Sequence, residues 1–127
     1  MNVQQKTIRS NKPIKKKYKN GLIVEDITIG EGDEVTGCDT ITIHYTGFIK
    51  NGKIIDSTYK RGGPMTFTLG KAAVMLGFEQ GIPGMKVGGV RKLTIPADIG
   101  FGNRIMPGVP CDSDLVYEIE LLDICEW

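Results

Sequence analysis

Hydrophobic positions recur at two different periods along this chain. From Thr40 to Ile49 they alternate. Ile41, Ile43, Tyr45, Gly47 and Ile49 fall on one face, and Thr40, Thr42, His44, Thr46 and Phe48 on the other. Period two predicts a half-buried strand. Asn51-Gly52 follows, a strong hairpin signal because both residues tolerate positive φ. Lys53 to Ser57 is therefore expected as the returning strand. A two-residue loop sets Ile49 opposite Ile54 and Gly47 opposite Asp56, which places Asp56 on the Tyr45 face, one diagonal away. Ile55 then faces the other way unless a bulge intervenes. Further strands are expected over Gly21–Ile29, Met65–Leu69 (Met65, Phe67 and Leu69 inward), Val90–Ile95 and Leu115–Ile124.

The helical period is persuasive in one place, between Gly70 and Lys92. Val74, Phe78 and Ile82 recur at i, i+4 and i+8, with Met75 beside them. Pro83-Gly84 ends the pattern. A helix of about two to three turns is marginal alone in water, so it must rest on the strands. A pocket is expected where its apolar side meets the sheet. Pro96 to Ser113 is long and irregular, yet carries Ile99, Phe101, Ile105, Met106 and Val109. Loops of this length are usually functional or disordered. These apolar residues predict a flap folded over something apolar, the plainer alternative being a loop packed on the core. Strands are grouped rather than alternating with helices, so the class is α+β with an antiparallel sheet.

The chain has 127 residues, the size of one domain. Its charge is unevenly spread. Seven lysines and arginines and no acid precede residue 21, while the remainder holds nine basic and fifteen acidic residues, a net of −6. Residues 1–20 are expected as a solvated basic tail and 21–127 as the folded domain. Lys12-Pro13-Ile14-Lys15-Lys16-Lys17 also suits a nuclear-localisation or anion-binding arm. No membrane span or apolar signal core is expected. Cys38, Cys111 and Cys125 are odd in number and widely spaced. They are expected as free thiols in a cytoplasmic or nuclear protein.

Few chemistries remain. The single histidine, His44, sits among threonines, with nothing to suggest a carboxylate behind it as a Ser-His-Asp triad needs. No phosphate-binding glycine loop occurs and zinc would lack ligands. Asp56 has no sequence-evident carboxylate partner for acid–base work. An acidic body argues against stacking readout of RNA, which leaves the basic tail as the one candidate for nucleic acid. The remaining reading is an aromatic and aliphatic pocket that binds an apolar ligand, or a reaction needing neither proton transfer nor nucleophile.

Several motifs in series sharpen this. Ile43-His44-Tyr45-Thr46-Gly47, Asn51-Gly52-Lys53 with Asp56-Ser57, Phe67-Thr68-Leu69-Gly70, Gly84-Met85-Lys86-Val87-Gly88-Gly89 and Leu115-Val116-Tyr117-Glu118-Ile119-Glu120-Leu121 stand in the order, and nearly the spacing, of the FKBP family. From Gly21 to Ile124 the chain resembles these tacrolimus- and rapamycin-binding peptidyl-prolyl cis-trans isomerases. The resemblance implies a curved antiparallel sheet of about five strands wrapped around one short helix. It implies isomerisation of Xaa-Pro bonds without cofactor or metal, by a monomer, with macrolides such as tacrolimus and rapamycin as further ligands. Tyr45, Asp56, Met75, Phe78 and Phe101 are the implied catalytic positions, with the Met75 backbone N–H holding a substrate carbonyl. Ile55, Met65, Val74, Val109 and Tyr117 are the implied ligand-binding positions. Phe78 stands where the family often has tryptophan, Ile55 and Met65 where phenylalanine is usual, and Phe101 where a flap tyrosine donates to ligand. The flap is shorter by about one residue. The Ile55 and Phe101 replacements motivate an alternative, a binding module of the same fold with weak or no turnover.

Overall fold

The computed structural model describes residues 14–104 and 106–125. Seven strands among them form one antiparallel sheet: β1 (Ile14–Lys17), β2 (Ile23–Thr28), β3 (Thr40–Ile49), β4 (Ile54–Ser57), β5 (Met65–Thr68), β6 (Val90–Ile95) and β7 (Leu115–Cys125). Their spatial order is β1-β2-β6-β7-β3-β4, with β5 sharing the outer edge of β3. β3 alternates between buried and half-buried along its whole length, as its sequence period requires. Ile41, Ile43, Leu93, Ile95, Ile119 and Leu121 point inward from the three central strands and are fully buried. The sheet curves around one short helix, the arrangement the family resemblance implied.

The basic stretch read as a solvated tail up to residue 20 contains β1. It pairs with β2 from Ile14↔Asp26 to Lys17↔Ile23. Three consecutive lysines hid this strand, since they show no apolar alternation. At a sheet edge only the backbone need pair, and lysines there discourage further strands from adding. Residues 1–13 and Ile105 lie outside the described residues, and so does the start of the proposed localisation motif.

The hairpin register is half as expected. Gly47 faces Asp56, but Phe48 rather than Ile49 faces Ile54. Ile55 is thus the extra residue of a bulge, the condition under which it could turn inward. It is half-buried and packs on the core.

Between β4 and β5 lies a helix, α1 (Thr58–Arg61), in a stretch that reads as a basic loop. Ser57 caps its start by accepting from the Tyr59 N–H at 3.2 Å, and Gly62 ends it at φ 98°. The fully buried Thr58 hydroxyl accepts the Tyr45 N–H at 2.8 Å and lies 3.2 Å from the Tyr45 carbonyl. It serves both main-chain groups on the outer edge of β3, where β4 and β5 diverge and neither reaches Tyr45. His44 Nδ1 is 2.8 Å from the same hydroxyl, and its ring stacks on Tyr59 at 4.3 Å. The histidine is structural, as its neighbours suggested.

The helix α2 (Leu76–Gly81) begins two residues later than the Val74 spacing predicts, with Met75 as its N-cap. Its contact with β6 is made by glycine. A Cβ on Gly77 would meet Ile95 at 2.6 Å, and one on Gly81 would meet Leu93 at 2.8 Å. Arg91 ties down the other end. Its guanidinium donates to the carbonyls of Gly81 and Pro83 at 2.9 and 3.1 Å and pairs with Asp26 at 2.6 Å. A cation at a helix C-terminus offsets the partial charge of the unpaired carbonyls there.

Candidate functional site

Three aromatic rings meet where α2 crosses the concave face. Phe78 projects from the helix and is 4% exposed, so it forms a floor. Tyr45 from β3 and Tyr117 from β7 form the walls. Their ring centroids lie 6.0 and 4.8 Å from that of Phe78, both edge-on, and 5.5 Å from each other. Edge-to-face contacts favour such a cluster beyond its buried area. Gly47 pairs with Tyr117 across the sheet, and a Cβ there would meet the tyrosine ring at 2.5 Å. Only glycine lets that ring lie flat against the β3 backbone.

Above the rings is a cavity of about 350 Å³ that the protein's own side chains leave open. Met65, Val74, Met75 and Phe101 line it with the three aromatics. The loop that brings Val74 and Met75 there turns at Ala72, whose φ of 56° is unusual for a residue with a Cβ. Glu79 holds this loop by accepting the Gly70 N–H at 2.7 Å. The Met75 N–H finds no acceptor among the described residues.

One wall is polar. Asp56 Oδ2 accepts the Tyr45 hydroxyl at 2.7 Å. Arg61 donates from Nε and its terminal nitrogen at 2.9 and 2.8 Å, and the Ser57 N–H at 2.8 Å. Burial alone would push the Asp56 carboxyl up. The bonds from Tyr45 and Arg61 and the guanidinium charge outweigh it and hold the carboxyl below its usual range. Burial, then the bond to Asp56, pushes Tyr45 up from 10.0 to about 12. Burial likewise raises Tyr117, helped by Tyr45 and Asp56. At neutral pH the carboxylate is charged with both oxygens engaged, and both phenols are protonated.

Of the ten positions singled out from the sequence, eight line this cavity: Tyr45, Asp56, Met65, Val74, Met75, Phe78, Phe101 and Tyr117. Ile55, the bulged residue, instead packs on the core, and Val109 also packs on the core. Val109 donates its N–H to the Met106 carbonyl at 3.0 Å, and Met106 takes the place on the cavity wall. Pro96–Ser113 does fold inward, with Ile99 buried and Phe101 and Met106 over the cavity. Sequence reading missed Arg61, Ala72, Ala73 and Arg104, and named Met106 only as one of the apolar flap residues. The capping pair Ser57 and Gly62 could have revealed α1, and with it Arg61, one turn along from Asp56. Nothing in the sequence singles out Arg104, which is held by the carbonyls of Phe101 and Gly100 at 3.2 and 3.4 Å. Among the described residues no group of three histidines, cysteines or carboxylates gathers to hold a metal ion.

Known proteins are similar to this chain in sequence and fold. A family described as FKBP-type peptidyl-prolyl cis-trans isomerase matches residues 31–122. An FK506-binding protein of Neisseria meningitidis serogroup B is 46% identical over 107 residues, 84% of this chain and 98% of its own length. FK506-binding protein 4 of Chaetomium thermophilum is 43% identical over 108 residues, 85% of this chain; the match spans only 22% of that longer protein. Among solved structures, AtFKBP13 superposes with a TM-score of 0.80 at 35% identity, covering 88% of this chain and 99% of that one.

Proposed function

This chain belongs to the FKBP-type peptidyl-prolyl cis-trans isomerase family, and from that premise we propose that it rotates Xaa-Pro peptide bonds in the cavity above Phe78. The observation that carries this reading is the aromatic trio beneath an open cavity whose one carboxylate is fully engaged. Such a site can hold a ring and strip water from an amide, but has no base to offer.

The reaction needs none. The uncatalysed barrier is about 18–20 kcal/mol because the C–N bond is partly double. Twisting the bond removes resonance and with it much of the amide dipole. A dry apolar cavity disfavours the polar planar form more than the twisted one, and so binds the transition state preferentially. Phe78, Tyr45 and Tyr117 hold the prolyl ring, and the Met75 N–H holds a substrate carbonyl, while the preceding carbonyl turns. A 10⁴-fold acceleration requires only about 5.5 kcal/mol. The Asp56–Arg61 pair anchors Tyr45 rather than moving a proton.

The names of the relatives extend the proposal to macrolides of the FK506 type, which would occupy the same cavity. We place the protein, as a monomer, in the cytoplasm or nucleus, on the argument from its three thiols. NMR exchange spectroscopy on an Ala-Pro peptide tests the central claim. Catalytic amounts of protein should broaden or exchange the cis and trans proline signals. Sharp, unexchanged signals from a peptide that nevertheless binds would leave a binding module without turnover.

A further inference from the structure

The donors around the cavity are nearly all committed. The Tyr45 hydroxyl gives its hydrogen to Asp56. Arg61 spends its fork on the same carboxylate, and Arg104 bonds carbonyls of its own loop. Phe101 brings no donor. Tyr117 differs. The residue is 2% exposed, and its hydroxyl bonds no described residue. Tyr117 lines the cavity beside Asp56 and Arg61.

We infer that the Tyr117 hydroxyl is a specificity- and rate-determining donor, bonding the carbonyl oxygen of the residue before proline. The inference rests on the isomerase reading above and deepens it. The ring cannot swing away. Phe78 meets it at 88° and 4.8 Å, Tyr45 flanks it at 5.5 Å, and Gly47 lies under its hydroxyl end, where a Cβ would stand 2.7 Å from Cζ. A donor fixed before substrate arrives loses little freedom when it bonds, which is what makes preorganised donors effective. Burial keeps the phenol protonated over the working pH range. The Met75 N–H lies at the helix end of the cavity and Tyr117 on the sheet wall. Two carbonyls flanking one proline can thus each find a donor while the ring rests on Phe78. The carbonyl before proline is the one that sweeps during rotation. A bond that strengthens along the sweep raises kcat, and one made equally at the start lowers KM alone.

The test pairs a variant with a substrate change. Tyr117→Phe keeps the ring and removes only the hydroxyl. Activity is measured on an Ala-Pro peptide and on its thioxo analogue, in which sulfur, a poor acceptor, replaces the alanine carbonyl oxygen. On the normal peptide the variant should lose about threefold to tenfold in kcat/KM, the effect of one neutral hydrogen bond. On the thioxo peptide it should match the wild type. Equal losses on both peptides, or no loss on either, would overturn the inference, since a merely structural role cannot distinguish the two acceptors. If the wild type shows no exchange, the isomerase reading falls separately. The same peptides, titrated for affinity, then decide the tyrosine by the same pattern.

Discussion

Asp56 has a donor on each oxygen, and this sets how the site responds to pH. Its carboxyl titrates lower in the folded chain than in the unfolded one. The stability it contributes is therefore complete above the ordinary aspartate range and is lost as pH falls through the lower, folded value. Tyr45 works at the other end. Its folded value is about 12 against 10.0 unfolded. Its contribution is complete below pH 10 and disappears as pH rises through about 12. Tyr45→Phe should cost about 1.5–3 kcal/mol near pH 7, the range for a bond to a charged group. Urea midpoints of wild type and variant should converge between pH 10 and 12. Asp56→Asn and wild type should converge instead on the acid side. A gap that stays constant at both extremes would show that neither group is linked to folding as drawn.

At the scale of the element, α2 depends on what its residues lack. Gly77 and Gly81 weaken the helix by about 1 kcal/mol each relative to alanine. They also let it lie against Ile95 and Leu93, where added methyl groups would come within 2.6 and 2.8 Å of fully buried side chains. Overpacking of this kind typically costs about 1–3 kcal/mol, which outweighs the gain in propensity. Gly77→Ala should thus lower the urea midpoint, and should reduce isomerisation by lifting Phe78 off the cavity floor. A raised midpoint would mean that propensity wins and that the helix is not held as closely as its contacts indicate.

For the whole molecule, the decisive feature is that every cavity-lining residue lies between Tyr45 and Tyr117, while β1 borders only β2. Removing residues 1–13, which leaves β1 in place, should leave isomerisation intact. Removing residues 1–19 uncovers the β2 edge and should lower stability by about 1–2 kcal/mol, a few exposed backbone bonds' worth, with activity retained. The second chain should also self-associate more readily, because an unpaired edge invites another strand. Equal stability of the two truncated chains would show that β1 contributes nothing to the sheet.

Much of this architecture was legible along the chain. Alternation in β3 marked Tyr45 as inward, Asn51-Gly52 set Gly47 against Asp56, and the spacing of Phe78 and Ile82 located the helix that meets the sheet. The scarcity of histidine, paired carboxylates and phosphate loops pointed to a site without acid–base chemistry. Such features are local, because side-chain direction follows backbone period and turn residues follow backbone dihedrals. Folding alone decided the rest. The bulge carried Ile55 out of step, edge pairing recruited lysines as β1, and Met106 rather than Val109 reached the cavity. The Tyr117 hydroxyl, without a partner among the described residues, likewise became visible only once Asp56 was seen to be engaged by others. These outcomes depend on which surfaces meet across tens of residues of intervening chain, and no short-range period encodes that.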